Sequence, residues 1–377
     1  MSASPTPGVT SPASRLHGMD RLRNFWQRVS EGRQIDDLWS QFAADARSSY
    51  GFYDRDVDWE EIHKLPPWRR PLHVARQFFW ALLLKMSPAR RILLLLAFVM
   101  LALSAINSQK NFEVIAVLLF VLLLSLELAD KVTMKRDLEI AREIQTWLVP
   151  SQAPEVAGAN IAFATRPQNS VAGDYYDAFY PDPEDREKLM VVIADVAGKS
   201  VPAALLMATL QASLRTIAGE NAPLADLVAR LNRYACAHSL NGLRFTTAVL
   251  SEYHPTTRRL TYVNAGHNAP ILRRASGAIE TLETGGLPLG IRSAINYETA
   301  SLDLRPGDAL IFFTDGVVEA FNESGEEFGN ERWLNAIRSL PDWDASETLQ
   351  FLMKRVDEFV GATRQSDDIT CLVFRSR

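Results

Sequence analysis

The chain has 377 residues, of which 47% are hydrophobic and 23% are charged, and its formal net charge is −5. This length predicts two or more folded units, and the acidic balance excludes the strongly basic class of nucleic-acid-binding proteins. The two cysteines, Cys236 and Cys371, are far apart and lack a CxxC partner, which excludes a cysteine-based zinc site and indicates reduced thiols.

The first 66 residues are predicted to be an N-terminal tail followed by a cytoplasmic segment without an assigned role. Residues 1–18 are rich in Ser, Pro, Gly and Thr and show no hydrophobic periodicity, which is typical of a disordered tail. No apolar segment follows Met1 closely, so we do not expect a cleaved signal peptide. Residues 19–66 mix aromatic with charged side chains, a composition compatible with one or two short helices.

Two apolar runs follow, over residues 92–106 and 114–126, and a short polar connector separates them. With the flanking residues included, each run approaches the roughly 20 residues that a membrane-spanning helix needs. The basic and aromatic stretch at 68–80 predicts a helix at the membrane interface. The alternative, a buried helical hairpin in a soluble domain, is disfavoured because neither run has a polar face. We therefore predict an interfacial helix and two transmembrane helices within residues 67–130.

Basic residues predict the orientation of this hairpin. Three precede the first run, three follow the second and one lies in the connector: Lys85, Arg90 and Arg91; Lys131, Lys135 and Arg136; and Lys110. Because the cytoplasmic flanks of membrane helices are enriched in Lys and Arg, both flanks are predicted to be cytoplasmic. The N- and C-termini of a protein in the inner (cytoplasmic) membrane would then both face the cytoplasm.

Residues 131–150 are predicted to form an amphipathic linker helix. Apolar side chains recur at helical spacing from Val132 to Leu148, with charged residues between them, and Pro150 marks the end of the helix. One interpretation is a surface helix that continues from the membrane. The other is a helix that pairs with its copy in a homodimer, because the apolar stripe has no partner within its own segment. The sequence leaves both interpretations open.

Residues 151–377 are predicted to form one domain of the α+β class. Strand-like segments, dense in Val, Ile, Phe, Tyr and Thr, are 160–165, 189–194, 245–252, 259–264, 269–273, 301–304, 309–313 and 369–375. Segments with helical periodicity are 201–217, 223–239, 331–339 and 345–360. Hairpin-like strands with paired helices favour a layered α+β domain over a doubly wound parallel sheet.

Four acidic motifs lie at the ends of predicted strands or in the adjacent turns. Their side chains are Asp174 and Asp177, Asp195, Asp315, and Asp367 with Asp368. A single strand-end aspartate usually caps a turn or a helix, but several that converge would repel each other unless a cation joined them. Carboxylates without His or Cys form the ligand set that Mg²⁺ and Mn²⁺ prefer, and such a set suits a pair of ions that act on a phosphoryl group.

Five short motifs together resemble the PPM-type, protein phosphatase 2C-like family. They are Gly173-Asp174-Tyr175-Tyr176-Asp177, Asp195-Val196-Ala197-Gly198, Asn264-Ala265-Gly266-His267-Asn268, Thr314-Asp315-Gly316 and Asp367-Asp368-Ile369-Thr370. They are most similar to the bacterial branch typified by SpoIIE and RsbU, and the segment 138–150 resembles the entry helix of that branch. The resemblance covers about residues 138–377, and it depends on the motifs together because none is specific alone.

The resemblance implies a four-layer α-β-β-α sandwich with a metal cleft at one edge, and it implies roles for individual residues. Asp195 would bridge two Mn²⁺ or Mg²⁺ ions, with the backbone carbonyl of Val196 beside it and a third ion left open. Asp174, Asp315 and Asp367 would supply the remaining metal ligands. Asp174 and Asp195 would form the catalytic centre.

The resemblance also implies a function, namely metal-dependent hydrolysis of phosphoserine or phosphothreonine on a partner protein. The partner expected from the family is a signalling protein such as an anti-sigma-factor antagonist, and the predicted hairpin would hold the enzyme at the membrane. One alternative is a catalytically inactive module that binds a phosphoprotein at the membrane. Another is hydrolysis of a small phosphoester, because the sequence shows no specificity pocket.

The chain departs from the family pattern at three small residues. Ala197 stands where eukaryotic members carry a histidine, so an acid is lacking at that position. Ala172 and Ser200 replace glycines that are usual in the family, and both are small enough that we expect little effect.

Other candidate residues have a structural and a functional interpretation. His267 is more simply a structural hydrogen-bonding residue than a general acid, and Arg166 is either an exposed strand-end side chain or a ligand for substrate phosphate. Asp177 and Asp368 are expected to support the neighbouring metal ligands. The Gly198-Lys199-Ser200 sequence is not a P-loop, because Ile193 stands where that motif requires glycine.

Overall fold

The computed structural model describes Ile62, Pro66 and residues 69–107, 110–220, 222–238 and 244–377. The predicted N-terminal tail and most of the unassigned segment lie outside the described residues. The chain divides into two compact units at the boundary between Ala129 and Asp130.

The described residues of the first unit are mostly helical. Helix α1 spans Arg70–Lys85, α2 spans Pro88–Asn107, and α3 begins at Lys110. The rings of Phe79, Phe98 and Phe120 meet edge to face, with centroids 6.0 and 5.6 Å apart. Most of the remaining apolar side chains of α2 and of the first half of α3 are exposed. Such surfaces suit a lipid environment, and the segments Pro88–Ile106 and Asn111–Leu148 are long and apolar enough to cross a membrane.

Helix α3 is continuous over Lys110–Leu148 and therefore includes both the second apolar run and the predicted linker. No glycine or proline interrupts the segment, so the backbone hydrogen bonds continue past the change from apolar to charged side chains. The helix ends just before Pro150, as its sequence predicts.

The second unit contains two β-sheets. The strands are β1 (Ala159–Arg166), β2 (Tyr175–Phe179), β3 (Leu189–Val196), β4 (Thr246–His254), β5 (Arg259–Ala265), β6 (Ile271–Arg273), β7 (Ile279–Thr281), β8 (Gly285–Gly286), β9 (Ala300–Asp303), β10 (Ala309–Phe313) and β11 (Ile369–Ser376). The first sheet has the order β1-β11-β10-β6-β7 and the second has the order β2-β3-β4-β5-β8, with β9 paired to β5. All pairings are antiparallel except the short one between β5 and β8.

Helices cover the outer face of each sheet. They are α4 (Val201–Ala218), α5 (Leu224–Ala237), α6 (Asp315–Val318), α7 (Gly329–Arg338) and α8 (Ala345–Val360). One buried cluster joins α4 and α5 to the second sheet, another fills the space between the sheets, and a third joins α7 and α8 to the first sheet. The predicted four-layer α-β-β-α sandwich is therefore confirmed.

Helix α4 also has the length and composition of a membrane-spanning segment. Its apolar face packs into the core of the second unit through Ala203, Met207, Leu210, Leu214 and Ala218. The apolar character of this helix is thus explained by packing on a sheet, in contrast to the exposed apolar side chains of α2.

The eight predicted strands and four predicted helices are all present, with ends that differ by no more than two residues. The sequence missed β2, β7, β8 and the short helix α6. Strand β2 pairs with β3, with Tyr175 opposite Ala194 at one end and Phe179 opposite Met190 at the other. This pairing brings the turn before β2 beside the end of β3. The pairing of β10 with β11 brings the residues after Phe313 close to those before Ile369.

Candidate active site

The turn before β2 meets the end of β3 without any intervening side chain. A Cβ atom at Gly173 would lie 3.2 Å from the carbonyl oxygen of Val196 and 3.3 Å from the Cβ of Ala203. The same position is 3.7 Å from Asp195 Oδ1. A larger residue would separate these backbones, so glycine allows the Asp174 turn to approach the carboxylate of Asp195 and the carbonyl of Val196.

The segments that follow β10 and precede β11 are in equally close contact. A Cβ atom at Gly316 would lie only 2.0 Å from the carbonyl oxygen of Asp368, so the two backbones touch. Thr314 Oγ1 donates a hydrogen bond to Asp174 Oδ2 at 2.9 Å and accepts one from the backbone N–H of Thr370 at 3.0 Å. The Thr314 hydroxyl thereby connects the segment after β10 with the turn before β2 and with the start of β11.

Asp368 fixes the loops around the site through its own carboxylate. Its Oδ1 accepts a hydrogen bond from the backbone N–H of Gln168, and its Oδ2 accepts one from Gly173, both at 2.6 Å. Because Gly173 precedes Asp174, these bonds hold the Asp174 turn against the start of β11. The supporting role predicted for Asp368 agrees with this geometry.

The carboxylates at this edge raise one another's pKa values. Burial raises the pKa of Asp174 well above its usual range, and the neighbouring charge of Asp195 raises it further. Burial, followed by the charges of Asp315 and Asp367, raises the pKa of Asp195 to about 7. Burial and the charge of Asp367 likewise raise the pKa of Asp315. The structure therefore brings the four predicted ligand side chains into one electrostatic cluster.

Positive charge at the cluster comes from Lys199, whose Nζ lies 3.0 Å from Asp367 Oδ2. The same ammonium group donates a hydrogen bond to the carbonyl oxygen of Ser366 at 3.0 Å. Both side chains of this ion pair are substantially exposed, so it offsets little of the repulsion among the buried carboxylates. The cluster thus retains an excess of negative charge.

The chemistry of this donor set fits divalent cations. Carboxylate oxygens and a backbone carbonyl are hard ligands, as Mg²⁺ and Mn²⁺ prefer, and bound cations would remove the repulsion that raises these pKa values. Within the described parts of the chain, no group of three or more His, Cys, Asp or Glu side chains is arranged closely enough to hold a metal ion. The carboxylates are close enough to interact but do not form a complete coordination shell.

Asp177 does not join the cluster. It is fully buried on the helix-facing side of β2, where both of its oxygens accept hydrogen bonds from Arg215 at 2.9 Å. The hydroxyl of Tyr175 donates a third bond at 2.6 Å. Burial raises the pKa of Asp177, and the contacts with Tyr175 and Arg215 oppose that rise. The side chain is therefore part of a buried ion pair that ties α4 to the sheet.

Arg166 is paired with Asp357 of α8 through Nη1 and Nη2 of its guanidinium group. This pair joins the end of β1 to the helix that covers the first sheet. The interpretation of Arg166 as a structural residue at a strand end agrees with this contact better than a role in binding substrate phosphate.

His267 is buried and lies beside the cluster rather than in it. Its Nδ1 is 2.8 Å from Thr247 Oγ1, and its backbone N–H donates to Asn264 Oδ1 at 2.7 Å. Burial lowers its pKa to about 4, so the ring is neutral at physiological pH. Thr247 is the cross-strand partner of Asp195, and His267 therefore supports the strand that carries the cluster.

Three residues at the site were missed by sequence reasoning: Gln145, Lys199 and Thr314. Gln145 of α3 donates from Nε2 to the carbonyl oxygen of Ala172 at 2.7 Å and accepts from its N–H at 2.9 Å. The side-chain amide thus satisfies both backbone groups of the residue before Gly173. The segment around Gln145 was identified as an entry helix, but its amphipathic pattern alone does not show which polar residue reaches the domain.

Comparisons with known proteins agree with this geometry. Residues 185–377 match the family model for Stage II sporulation protein E (SpoIIE). Phosphoserine phosphatase RsbU of Bacillus subtilis is 29% identical over 192 residues, which cover 51% of this chain and 56% of RsbU. Protein IcfG of Synechocystis is 28% identical over 283 residues, which cover 67% of this chain and 44% of IcfG. The chain thus spans about half the length of the curated relatives it matches.

Solved structures show the same fold. The PP2C domain of SiaA from Pseudomonas aeruginosa superposes with a TM-score of 0.57 at 22% identity, covering 66% of this chain and 99% of that domain. The phosphatase domain of SpoIIE from Bacillus subtilis gives a TM-score of 0.50 at 19% identity and covers 60% of this chain and 64% of that one. The chain therefore belongs to the SpoIIE family, and its second unit has the PP2C phosphatase fold.

Proposed function

We propose that this chain is a metal-dependent serine/threonine protein phosphatase. The proposal rests on the close backbone contacts at Gly173 and Gly316 and on the electrostatic interaction among the four carboxylates beside them. Family membership supports the same activity, and the relatives RsbU and RsbP are named phosphoserine phosphatases. No observation favours the alternative of an inactive phosphoprotein-binding module.

We assign the metal ligands to the carboxylates of Asp174, Asp195, Asp315 and Asp367 and the carbonyl of Val196. Bound there, two Mn²⁺ or Mg²⁺ ions, with a third left open, supply Lewis acidity and neutralise charge in phosphoester hydrolysis. The donor set and the mutual repulsion of these side chains support the assignment.

The surrounding residues hold the ligands in place. Thr314 orients the Asp174 carboxylate by its hydrogen bond to Oδ2, and Asp368 anchors the turn through the Gly173 N–H. Lys199 brings an exposed positive charge to the cluster, where it can attract a phosphorylated substrate. Ala197 contributes no acid, so proton transfer to the leaving serine oxygen must come from water or from another residue.

The proposed substrate is a phosphorylated signalling protein, such as an anti-sigma-factor antagonist, as the family resemblance implies. We also propose that the chain is anchored in the inner membrane by two helices within residues 67–130, with both termini in the cytoplasm. The exposed apolar surface of α2 and of the first half of α3 supports this anchoring. Residues 131–150 would link the anchor to the phosphatase domain at 151–377, with residues 1–66 as a separate cytoplasmic segment.

Dimerisation through the linker part of α3 is a further element of the proposal. Val132, Ile140 and Ile144 are exposed on this helix, which leaves an apolar stripe available for a second copy. Sedimentation of the full chain in detergent tests it, because a monomer at micromolar concentration would contradict the dimer without affecting the proposed catalysis.

The catalytic proposal is tested with residues 130–377, which form a compact unit by themselves. We expect hydrolysis of a phosphoserine peptide with Mn²⁺, no turnover with EDTA, and a large loss in Asp315→Asn. Asp226→Asn, an exposed aspartate on α5, is the matched control and should keep full activity. Turnover that is indifferent to both EDTA and Asp315→Asn would refute the proposal, and no turnover under any condition would favour the binding module.

A further inference from the structure

Two arginines flank one alanine at the end of the first sheet opposite the acidic cluster. Ala309 of β10 is the direct partner of Arg273 on β6 and of Arg375 on β11. Direct partners on neighbouring strands project from the same face, and Ala309 lies in the core that α7 and α8 cover. The two arginines therefore stand on that face about 10 Å apart, two strand spacings, with only a methyl group between them.

Both guanidinium groups retain hydrogen-bond donors without a partner. Arg375 is only 4% exposed; one of its nitrogens pairs with Asp342, and Nη1 is buried without a partner among the described residues. Arg273 donates from Nη2 to the carbonyl oxygen of Leu340 at 2.5 Å, and its buried Nε has no partner there either. Leaving such charged donors unsatisfied is costly, so a polar ligand that accepts hydrogen bonds from them would be stabilised here.

The available negative charge does not balance the pair. The side chain of Asp342 is 92% exposed and well solvated, so it screens Arg375 only weakly. Burial and the nearby charge of Arg375 lower the pKa of Arg273, which shows that the two cations repel each other. An anion between them would relieve this repulsion.

The space for an anion is present. A cavity of about 580 Å³ is lined by Arg273 and Arg375, and by Arg377, Trp343, Ser376 and the two acidic residues Asp342 and Asp344. Asp344 is already engaged in the capping box at the start of α8, where it accepts a hydrogen bond from the Glu347 N–H. Of the two acidic side chains in the lining, Asp342 is therefore the one that pairs with an arginine of the site.

We propose that this cavity is a second ligand site, which binds a small phosphate monoester between the Arg273 and Arg375 guanidinium groups. A phosphate monoester carries about two negative charges at neutral pH and offers three oxygens, which suits two guanidinium groups that approach from opposite sides. Ala309 and Phe313, at the two ends of β10, are about 13 Å apart at about 3.3 Å per residue, and Asp315 lies beyond Phe313, so the site is separate from the acidic cluster. It does not depend on the proposed phosphatase activity.

The test uses the full chain in detergent with EDTA, so that cations cannot bind phosphate at the acidic cluster. Thermal unfolding is measured against inorganic phosphate and glycerol 3-phosphate, with chloride at equal ionic strength as the reference. We expect both phosphates to raise the Tm in a saturable manner. In Arg375→Gln and in Arg273→Gln, at least about ten times more phosphate should be needed for the same shift, since each removes a charged hydrogen-bonding partner.

Arg292→Gln removes an exposed arginine from another part of the domain and is the matched control, which should respond like the wild type. If Arg375→Gln fails to fold, Arg273→Gln decides the question, because Arg273 is the more exposed of the two. Equilibrium dialysis should also show one bound phosphate per metal-free wild-type chain. An absent Tm shift in the wild type, or an equal shift in the arginine variants and the control, would overturn the proposal.

Discussion

Asp174 and Asp177 are three residues apart, and both are buried, yet the fold treats them in opposite ways. Asp177 faces the helices and receives two hydrogen bonds from Arg215 and one from Tyr175. Asp174 faces the edge of the sandwich, where it accepts a hydrogen bond from the Thr314 hydroxyl and meets the charges of Asp195 and Asp368. A carboxylate with a structural role thus has its counter-charge inside the protein.

At the edge of the sandwich the counter-charge must come from outside. Several carboxylates held together without sufficient internal cations destabilise the fold, since like charges in a buried region raise one another's pKa. Such a cluster lowers the free energy of unfolding of the metal-free protein, as is common at sites that bind metal ions.

Asp195→Asn should have the largest effect, because Asp195 lies at the centre of the cluster. We expect the turnover of a phosphoserine peptide with Mn²⁺ to fall on the order of 1,000-fold, comparable to the loss of a principal charge-stabilising group. Without metal, the same substitution should raise the free energy of unfolding at pH 8, because it removes one of the repelling charges. A metal-free variant less stable than the wild type would break the contrast with Asp177.

Arg215→Met should instead destabilise the fold while leaving the acidic cluster intact. In the wild type the Arg215 guanidinium lies 4.0 Å from the Phe179 ring. The methionine side chain keeps the apolar contact with Phe179 but leaves the Asp177 carboxylate buried without its cation. We expect a loss of about 3 kcal/mol in urea unfolding, at the low end for a broken buried pair because Arg215 is 41% exposed. Arg230→Met, which breaks an exposed pair with Glu220, should cost less than about 1 kcal/mol.

His267 is a third case beside Asp174 and Asp177. It is buried with no charged group among the causes of its pKa shift, and its ring is neutral. Its pKa of about 4 in the folded chain is below the usual 6.5, so the unfolded chain takes up the proton first as the pH falls. Stability from this group is complete above pH 6.5 and is lost as the pH falls toward 4. Between pH 6.5 and 5 the loss should be about 2 kcal/mol, at 1.36 kcal/mol per pH unit.

The measurement is urea unfolding of metal-free residues 130–377 at several pH values, as a difference between the wild type and His267→Gln. Taking the difference removes the titration of carboxylates common to both proteins. A pH dependence that is identical in the two proteins would show that the ring is not held neutral by burial.

Gln145→Leu should have the smallest effect, because it removes a neutral clamp rather than a charge. The loss of both hydrogen bonds to Ala172 should loosen the turn that carries Asp174. We expect the Mn²⁺ concentration for half-maximal activity to rise about fivefold, or about 1 kcal/mol, while activity at saturating Mn²⁺ is retained. Gln211→Leu on α4 is a control of the same chemistry at another helix. An unchanged Mn²⁺ requirement in Gln145→Leu would show that this clamp does not position the ligand.

The sequence predicted the layers and the acidic edge because both depend on local patterns. Strand-end aspartates followed by glycine mark Asp195 and Asp315, and the alternation of strands with paired helices indicates a layered α+β domain. The four-layer sandwich followed from the family resemblance. Strand β2 was missed because its five residues, Tyr175–Phe179, were interpreted as an acidic motif, although tyrosine and phenylalanine favour strands.

The side-chain partners could not be predicted, because they depend on contacts between segments far apart in the chain. The direction in which Asp177 points follows from the register of β2 with β3, and its partner Arg215 lies 38 residues away. The same limit applies to Thr314 and Asp174, which are 140 residues apart and joined by one hydrogen bond. The partner of Arg166 is Asp357, on a helix 191 residues later. This pair could not be predicted from the sequence, so phosphate binding by Arg166 stayed open.

If the clustered carboxylates share divalent cations, the stoichiometry and affinity of Mn²⁺ binding should depend on them. Isothermal titration of residues 130–377 should show at least two Mn²⁺ ions per chain in the wild type and in Asp226→Asn. In Asp195→Asn the affinity should fall at least about 100-fold, since that carboxylate would be a principal ligand of the ions. Equal Mn²⁺ binding by the wild type and Asp195→Asn would contradict the account.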